Sequence, residues 1–200
     1  MEQKTVYIKT HLAGNPGGNI TFTDVRNVWE ILQKQNLTRI LLINKVDPDY
    51  SLFLSVLLKG RKYVSFFYEY ETDMFLGLAW LQQTSESAGL VHFTPVREGK
   101  PIFDQLALTW LEEMFIHNNP SGVSFIYGHI PCRYTGVLKA AERLGFVDTG
   151  QMRKYVLNRE DGTQREYPAK VLATHVRHLR KHLAMIPNPR AVVVPTPPGK

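Results

Sequence analysis

Three β-rich runs follow one another between residues 63 and 96, and they leave the chain few ways to fold. Residues 63–71, 74–83 and 88–96 are each the length of one strand and rich in Phe, Tyr, Trp, Val and Leu, and only Thr72 and Asp73, and then residues 84–87, part them. Connections this short join antiparallel neighbours, because a parallel pair needs a crossover of a dozen residues or more. The centre of the molecule is therefore expected to be a three-strand meander whose two faces the remaining chain must cover. With 200 residues, 44% of them hydrophobic, there is enough apolar side chain for a single domain with one substantial core.

Before the meander, residues 6–9 alternate as a short strand, and glycines 14, 17 and 18 break the chain. Thr23 or Asp24 is expected to cap a helix with Val25, Val28, Trp29 and Leu32 on one face. Residues 38–43 are an apolar run of open type, and Asp47, Pro48 and Asp49 start a second helix through Leu52, Val56 and Leu57 to near Gly60. After the meander, Pro101 is expected as the first residue of a long helix carrying Leu106, Leu108, Trp110, Leu111 and Met114. Residues 123–130 form a strand, and Pro131 opens a helix that Gly145 stops. Residues 147–157 and 166–176 flank Asp161 and Gly162, a hairpin signal.

Composition removes several classes of function. Cys132 is the only cysteine, so the chain forms no internal disulfide and no thiolate zinc module. No run of eighteen apolar residues occurs, and the N-terminus lacks the charged-then-apolar order of a secretory signal, which points to a cytoplasmic protein without membrane contact. The net charge of +6 suits an anionic ligand, a nucleic acid or an acidic protein. Part of that excess lies between His175 and His182, expected to be a solvated terminal segment rather than a nucleic-acid contact. Five prolines beyond Met185 make a packed end unexpected, so residues 184–200 read as an extended tail after a domain covering 1–183.

The order of elements, with Ile126 to Phe146 followed by Val147 and Gly150, resembles the GNAT superfamily of acyl-CoA N-acyltransferases, most closely over residues 61–176. In that family's second conserved segment a strand feeds a helix ending in Leu-Gly-Phe, as Leu144, Gly145 and Phe146 do here. The ending has a physical reason: glycine takes the left-handed conformation that terminates a helix, and Phe146 turns back into the core. The fold class implied is α+β, a mostly antiparallel twisted sheet flanked by helices, with one splayed parallel strand pair.

The resemblance also implies a chemistry, transfer of an acyl group from acetyl-CoA or another acyl-CoA to an amine, with no metal. Arg97, Glu98, Gly99, Lys100 and Ile102 fall where the family's pyrophosphate loop precedes a helix. There backbone N–H groups and the positive end of the helix dipole meet the phosphates. Pro101 and Ile102 stand in or beside the family's glycine positions and Ala141 in place of its usual tyrosine acid, so weaker phosphate binding and slower leaving-group protonation are expected. A lysine-like amine costs roughly 4.6 kcal/mol to present neutral at pH 7, so a base matters. His92, His129 and Tyr127 are candidates for that role, and Tyr134 for the missing acid. The alternative reading is a GNAT-fold protein without turnover, a structural or assembly component such as that of a phage particle, with the tail as a protein-contact arm and a virion location.

Overall fold

The structure, a computed structural model, describes residues 4–12, 18–41, 49–58, 62–118, 122–158, 163–187 and 190–197. In chain order it contains β1 (Thr5–Leu12), α1 (Phe22–Lys34), the short α2 (Thr38–Leu41), α3 (Tyr50–Leu58), β2 (Lys62–Glu69), β3 (Phe75–Gln83) and β4 (Ala88–Pro95). A 3-10 turn (Arg97–Ile102) leads into α4 (Phe103–Glu112) and a π-helical turn (Glu113–Asn118). Then come β5 (Phe125–Pro131), α5 (Thr135–Arg143), β6 (Val147–Asn158), β7 (Gln164–His175), α6 (Val176–Met185) and β8 (Val192–Val194).

All eight strands form one mixed sheet in the order β6-β7-β5-β4-β3-β2-β1-β8. The expected meander is its centre: β2, β3 and β4 pair antiparallel, with Val64 opposite Trp80 and Trp80 opposite His92. Both faces are covered, which is why these strands read as nearly continuous apolar runs instead of alternating ones. Phe66 and Phe67, adjacent in sequence, are both fully buried on opposite faces. Phe67 packs with Leu106, Trp110 and Ile126 beneath α4, and Phe66 packs with Trp29, Phe53 and Leu78 beneath α1 and α3. Full burial of each such ring contributes about 2 kcal/mol.

The helix boundaries follow capping chemistry. Thr21, not Thr23 or Asp24, caps α1, because Thr21 Oγ1 accepts from the Asp24 N–H while the Asp24 carboxylate accepts from the Thr21 N–H. Asp49 Oδ1 accepts from the Leu52 N–H and caps α3; the Asp47 and Pro48 signals, the end near Gly60 and the Asp161-Gly162 turn lie outside the described residues. Pro101 sits inside the 3-10 turn, so α4 starts two residues later than expected. Pro131 closes β5 rather than opening α5. At the other end of α5, the Phe146 N–H donates to the Ala141 carbonyl and the Gly145 N–H to that of Glu142, the paired bonds of a Schellman ending. Gly145 has φ 91° and Phe146 is buried, as the sequence predicts.

The C-terminal region differs from expectation. The segment from His175 to His182, read as solvated, lies largely within the helix α6 (Val176–Met185), whose Val176, Leu179 and Leu183 are buried in the core under α4. The tail is extended but docked: β8 pairs parallel with β1, and Ala191 is buried. Arg190 anchors it through an ion pair to Glu112 at 2.6 Å and a bond to the Ile186 carbonyl. The Ala191 N–H donates to Thr109 Oγ1. Prolines at 187 and 195 flank this strand without entering it, so they do not prevent pairing.

Candidate active site

Among the described residues, the one parallel pairing in the middle of the sheet is short. β4 and β5 pair through Ala88–Phe125, Gly89–Ile126 and Leu90–Tyr127, then part, while β5 continues along β7 as far as Pro131. Partners in a parallel register face the same way, and side chains alternate, so two residues past Leu90 and Tyr127 stand His92 and His129. The two histidines flank the parting strands on one sheet face, the face opposite Ile126, Val91 and Phe93. Tyr127 shares that face, its ring 5.6 Å from that of His129. His92 stacks on Trp80 with ring centroids 4.5 Å apart. Burial lowers the pKa of His129 below the usual 6.5, and the nearby Arg153 guanidinium adds to that, so the ring is neutral at neutral pH.

On the opposite face a cleft of about 450 Å³ opens between α4 and α5, floored by Phe93 and Pro95 of β4. Its walls are Lys100, Pro101 and Ile102 of the 3-10 turn, the first turn of α4, and Gly136, Val137 and Ala140 of α5. The first turns of both helices border it, and neither helix has a side-chain cap. Arg143, at the end of α5, bridges to Asp104 in the first turn of α4 at 2.8 Å, both residues being part of the cleft wall. The volume suits a narrow, largely apolar ligand arm.

Of the turn residues Arg97, Glu98, Gly99, Lys100 and Ile102, only Lys100 and Ile102 line this cleft, and the backbone donors of Arg97, Gly99 and Lys100 already have acceptors. Gln35, which ends α1, takes the Arg97 N–H on its Oε1 at 2.7 Å and donates its Nε2 to Glu98. The Gly99 and Lys100 N–H groups both donate to the Val96 carbonyl, and Pro101 has none. Hydrogen bonds from Gln35 and from its own backbone hold the Glu98 carboxyl below its ordinary pKa, so a negative charge sits on the loop. Gly99 is buried, and a Cβ there would lie 1.9 Å from the Leu76 carbonyl oxygen. Glycine is thus required where the turn presses on β3.

Tyr134 caps α5 by position, its hydroxyl accepts from Arg133, and it is not among the residues lining the cleft. Ala141 packs against the core. Cys132 is half-buried, and no cluster of metal-ligating side chains occurs among the described residues. Gln35, Asp104, Arg143 and Arg153 were not singled out from sequence. The Gln35–Arg97 bond spans 62 positions and leaves no local signal. An acid in the first turn of α4 and a cation in the last turn of α5 are a charge pattern that suits both helix dipoles and was open to reading.

No family model matches the sequence, and no curated protein matches it. Solved structures do match its fold. Spermidine N-acetyltransferase from Vibrio cholerae, in complex with CoA and spermine, aligns with a TM-score of 0.65 at 13% identity, over 86% of this chain and 98% of that one. An N-acetyltransferase from Staphylococcus aureus Mu50 aligns with a TM-score of 0.62 at 15% identity, over 86% and 99%. A dodecameric form of the Vibrio enzyme in an intermediate state gives 0.59 at 13% identity, over 86% and 94%. The mixed sheet, its splayed pair and the flanking helices are the GNAT fold. No helix among the described residues is long and apolar enough to cross a membrane.

Proposed function

We propose that the chain is an acyl-CoA-dependent N-acyltransferase, using acetyl-CoA and an amine acceptor. The observation that carries this reading is the junction at the splay: a helix-walled cleft on one face, and His92 and His129 on the two parting strands at the other. In this reading Lys100 and the first turn of α4 hold the phosphate end of the ligand, and Phe93, Ile102 and Val137 enclose its arm. Bound acyl-CoA supplies a thioester whose acyl carbon the neutral amine attacks as the thiol departs. His129, kept neutral by burial and Arg153, takes the amine proton, and His92 orients the acceptor from the facing strand. A thiol with pKa about 8.5 leaves without a dedicated acid, which fits Ala141 in the helix and Tyr134 engaged elsewhere.

A second reading, a GNAT-fold structural or assembly protein without turnover, draws on one observation. The loop's N–H donors are taken by Gln35 and Val96, and Glu98 adds a charge that repels phosphate. Thermal denaturation with acetyl-CoA separates the two: at one hundred times its dissociation constant the ligand stabilises by about 2.7 kcal/mol. Absence of any shift with millimolar acyl-CoA refutes the enzyme reading.

A further inference from the structure

The sheet face that carries His129 continues outward along β7 and β6, where α2 also meets β6, and the charged side chains that the strands present there have one sign. In the antiparallel ladders His129 lies opposite Val171, and Arg153 lies opposite Ala169, the next residue of β7 on that face. Tyr167 and Arg165 follow at alternate positions. Arg165 lies over the Tyr167 ring at 5.1 Å, Arg133 over the same ring at 4.3 Å, and Arg133 again over Tyr134 at 4.7 Å. Strands β4 to β7 contain two acids, Asp148 and Glu166, and both point to the other face. There Asp148 pairs with Lys170 and Glu166 with Lys154. Among the described residues neither Arg153 nor Arg165 has an ion-pair partner.

The hairpin lengthens this surface. β5 pairs only with Ala169–His175 of β7, so the earlier half of β7 pairs with β6 alone and projects past the sheet. From Val171, beside His129, to Arg165 is a rise of about six residue steps, or about 20 Å of strand. A small acceptor with a single charge meets one of these cations. An extended polypeptide of six or seven residues meets all of them, and its peptide planes and side chains have the Arg133, Tyr134 and Tyr167 stack to lie against. Nucleic acid fits the charge too, but its exocyclic amines are poor nucleophiles beside the histidines. A polyamine such as the spermine held by the Vibrio structure has the wrong sign.

We propose that the acceptor amine reaches the His92–His129 splay on an acidic polypeptide segment laid along the β5–β7–β6 face. The proposal rests on the acyltransferase reading for its chemistry but not for its binding surface, so the two can be tested separately. The full chain is titrated, without acetyl-CoA, with a fluorescent ten-residue peptide of glutamates around one lysine, with its glutamine counterpart, and with a single-stranded oligonucleotide. Thiol release from acetyl-CoA is then followed with each peptide and with spermine.

Each exposed ion pair contributes a factor of up to about five, so two arginines predict that the glutamate peptide binds severalfold, up to about 25-fold, tighter than the glutamine one. That preference should vanish in the Arg153→Gln, Arg165→Gln double variant and persist in Lys154→Gln, which alters the opposite face. Equal binding of the two peptides, tighter binding of the oligonucleotide, or a double variant that behaves as wild type overturns the proposal. Thiol release favouring spermine overturns it while upholding the acyltransferase. Charge-dependent binding without thiol release to any acceptor upholds the docking face and removes the acyltransferase.

Discussion

Replacing Gly99 by alanine asks whether this glycine serves a phosphate or the fold. An added Cβ would lie 1.9 Å from the Leu76 oxygen and 2.9 Å from its carbonyl carbon, and both are backbone atoms that no rotamer change can move. Carbon and oxygen approach no closer than roughly 3.3 Å in the tightest C–H···O contacts of sheets, so the turn has to retreat from β3 by about 1.4 Å. That retreat also stretches the bond from the Val96 N–H to the same Leu76 oxygen, 3.1 Å long in the native fold. Overpacking costs about 2 kcal/mol and the lost hydrogen bond about 1 kcal/mol. For a chain of this size the sum lowers Tm by about 6–12 °C. Thermal unfolding followed by circular dichroism, without ligand, is sufficient. A Gly99→Ala protein melting within about 2 °C of wild type would falsify the packing role and return Gly99 to the ligand.

Arg190→Ala removes the anchor of β8 and leaves Glu112 half-buried without its cation, at a cost of about 2 kcal/mol; limited proteolysis should cut the variant near residue 190 under conditions that spare wild type, and equal resistance refutes the anchoring. Lys9→Met tests the buried pair with Asp24. Burial pushes the Asp24 carboxyl up, but bonds from Lys9 and Thr21 hold it below 3.8 overall, so its stabilisation is present above about pH 3.8 and disappears as pH falls through the lower folded value. Without Lys9 the carboxyl rises, and acid unfolding should begin at higher pH; an unmoved acid midpoint counts against the pair. By NMR titration His129 should change charge below pH 6.5, and Arg153→Gln should raise its pKa only part of the way, because burial is the larger cause; no movement removes Arg153 from the histidine's surroundings.

How far the sequence could be read depends on how far each cause reaches along the chain. The meander was legible because its turns, at Thr72 and Asp73 and at residues 84–87, are local. So was the Schellman ending at Gly145, whose bonds span five residues or fewer. The docked tail was not, because Arg190 meets Glu112 across 78 positions and the proline count argued against order. The loop's place ahead of α4 was legible but its wiring was not: Gln35 and Leu76 reach it from α1 and β3. The cationic face is intermediate. The bulge between Asp148 and Met152 gives β6 two extra residues, an even number, so alternation still tells which face Arg153 occupies but not which residue it stands beside.

The pairing of β8 with β1 carries a consequence for how the molecule comes into being. Among the described residues the outer edge of β1 pairs with residues 192–194 alone, which are made long after β1 itself. Until then its unpaired backbone groups form an open template for any other extended chain. A nascent chain, or one clipped before Arg190, is therefore predicted to carry a sticky border that the three valines of β8 otherwise cover, and to lose solubility before its core is weakened.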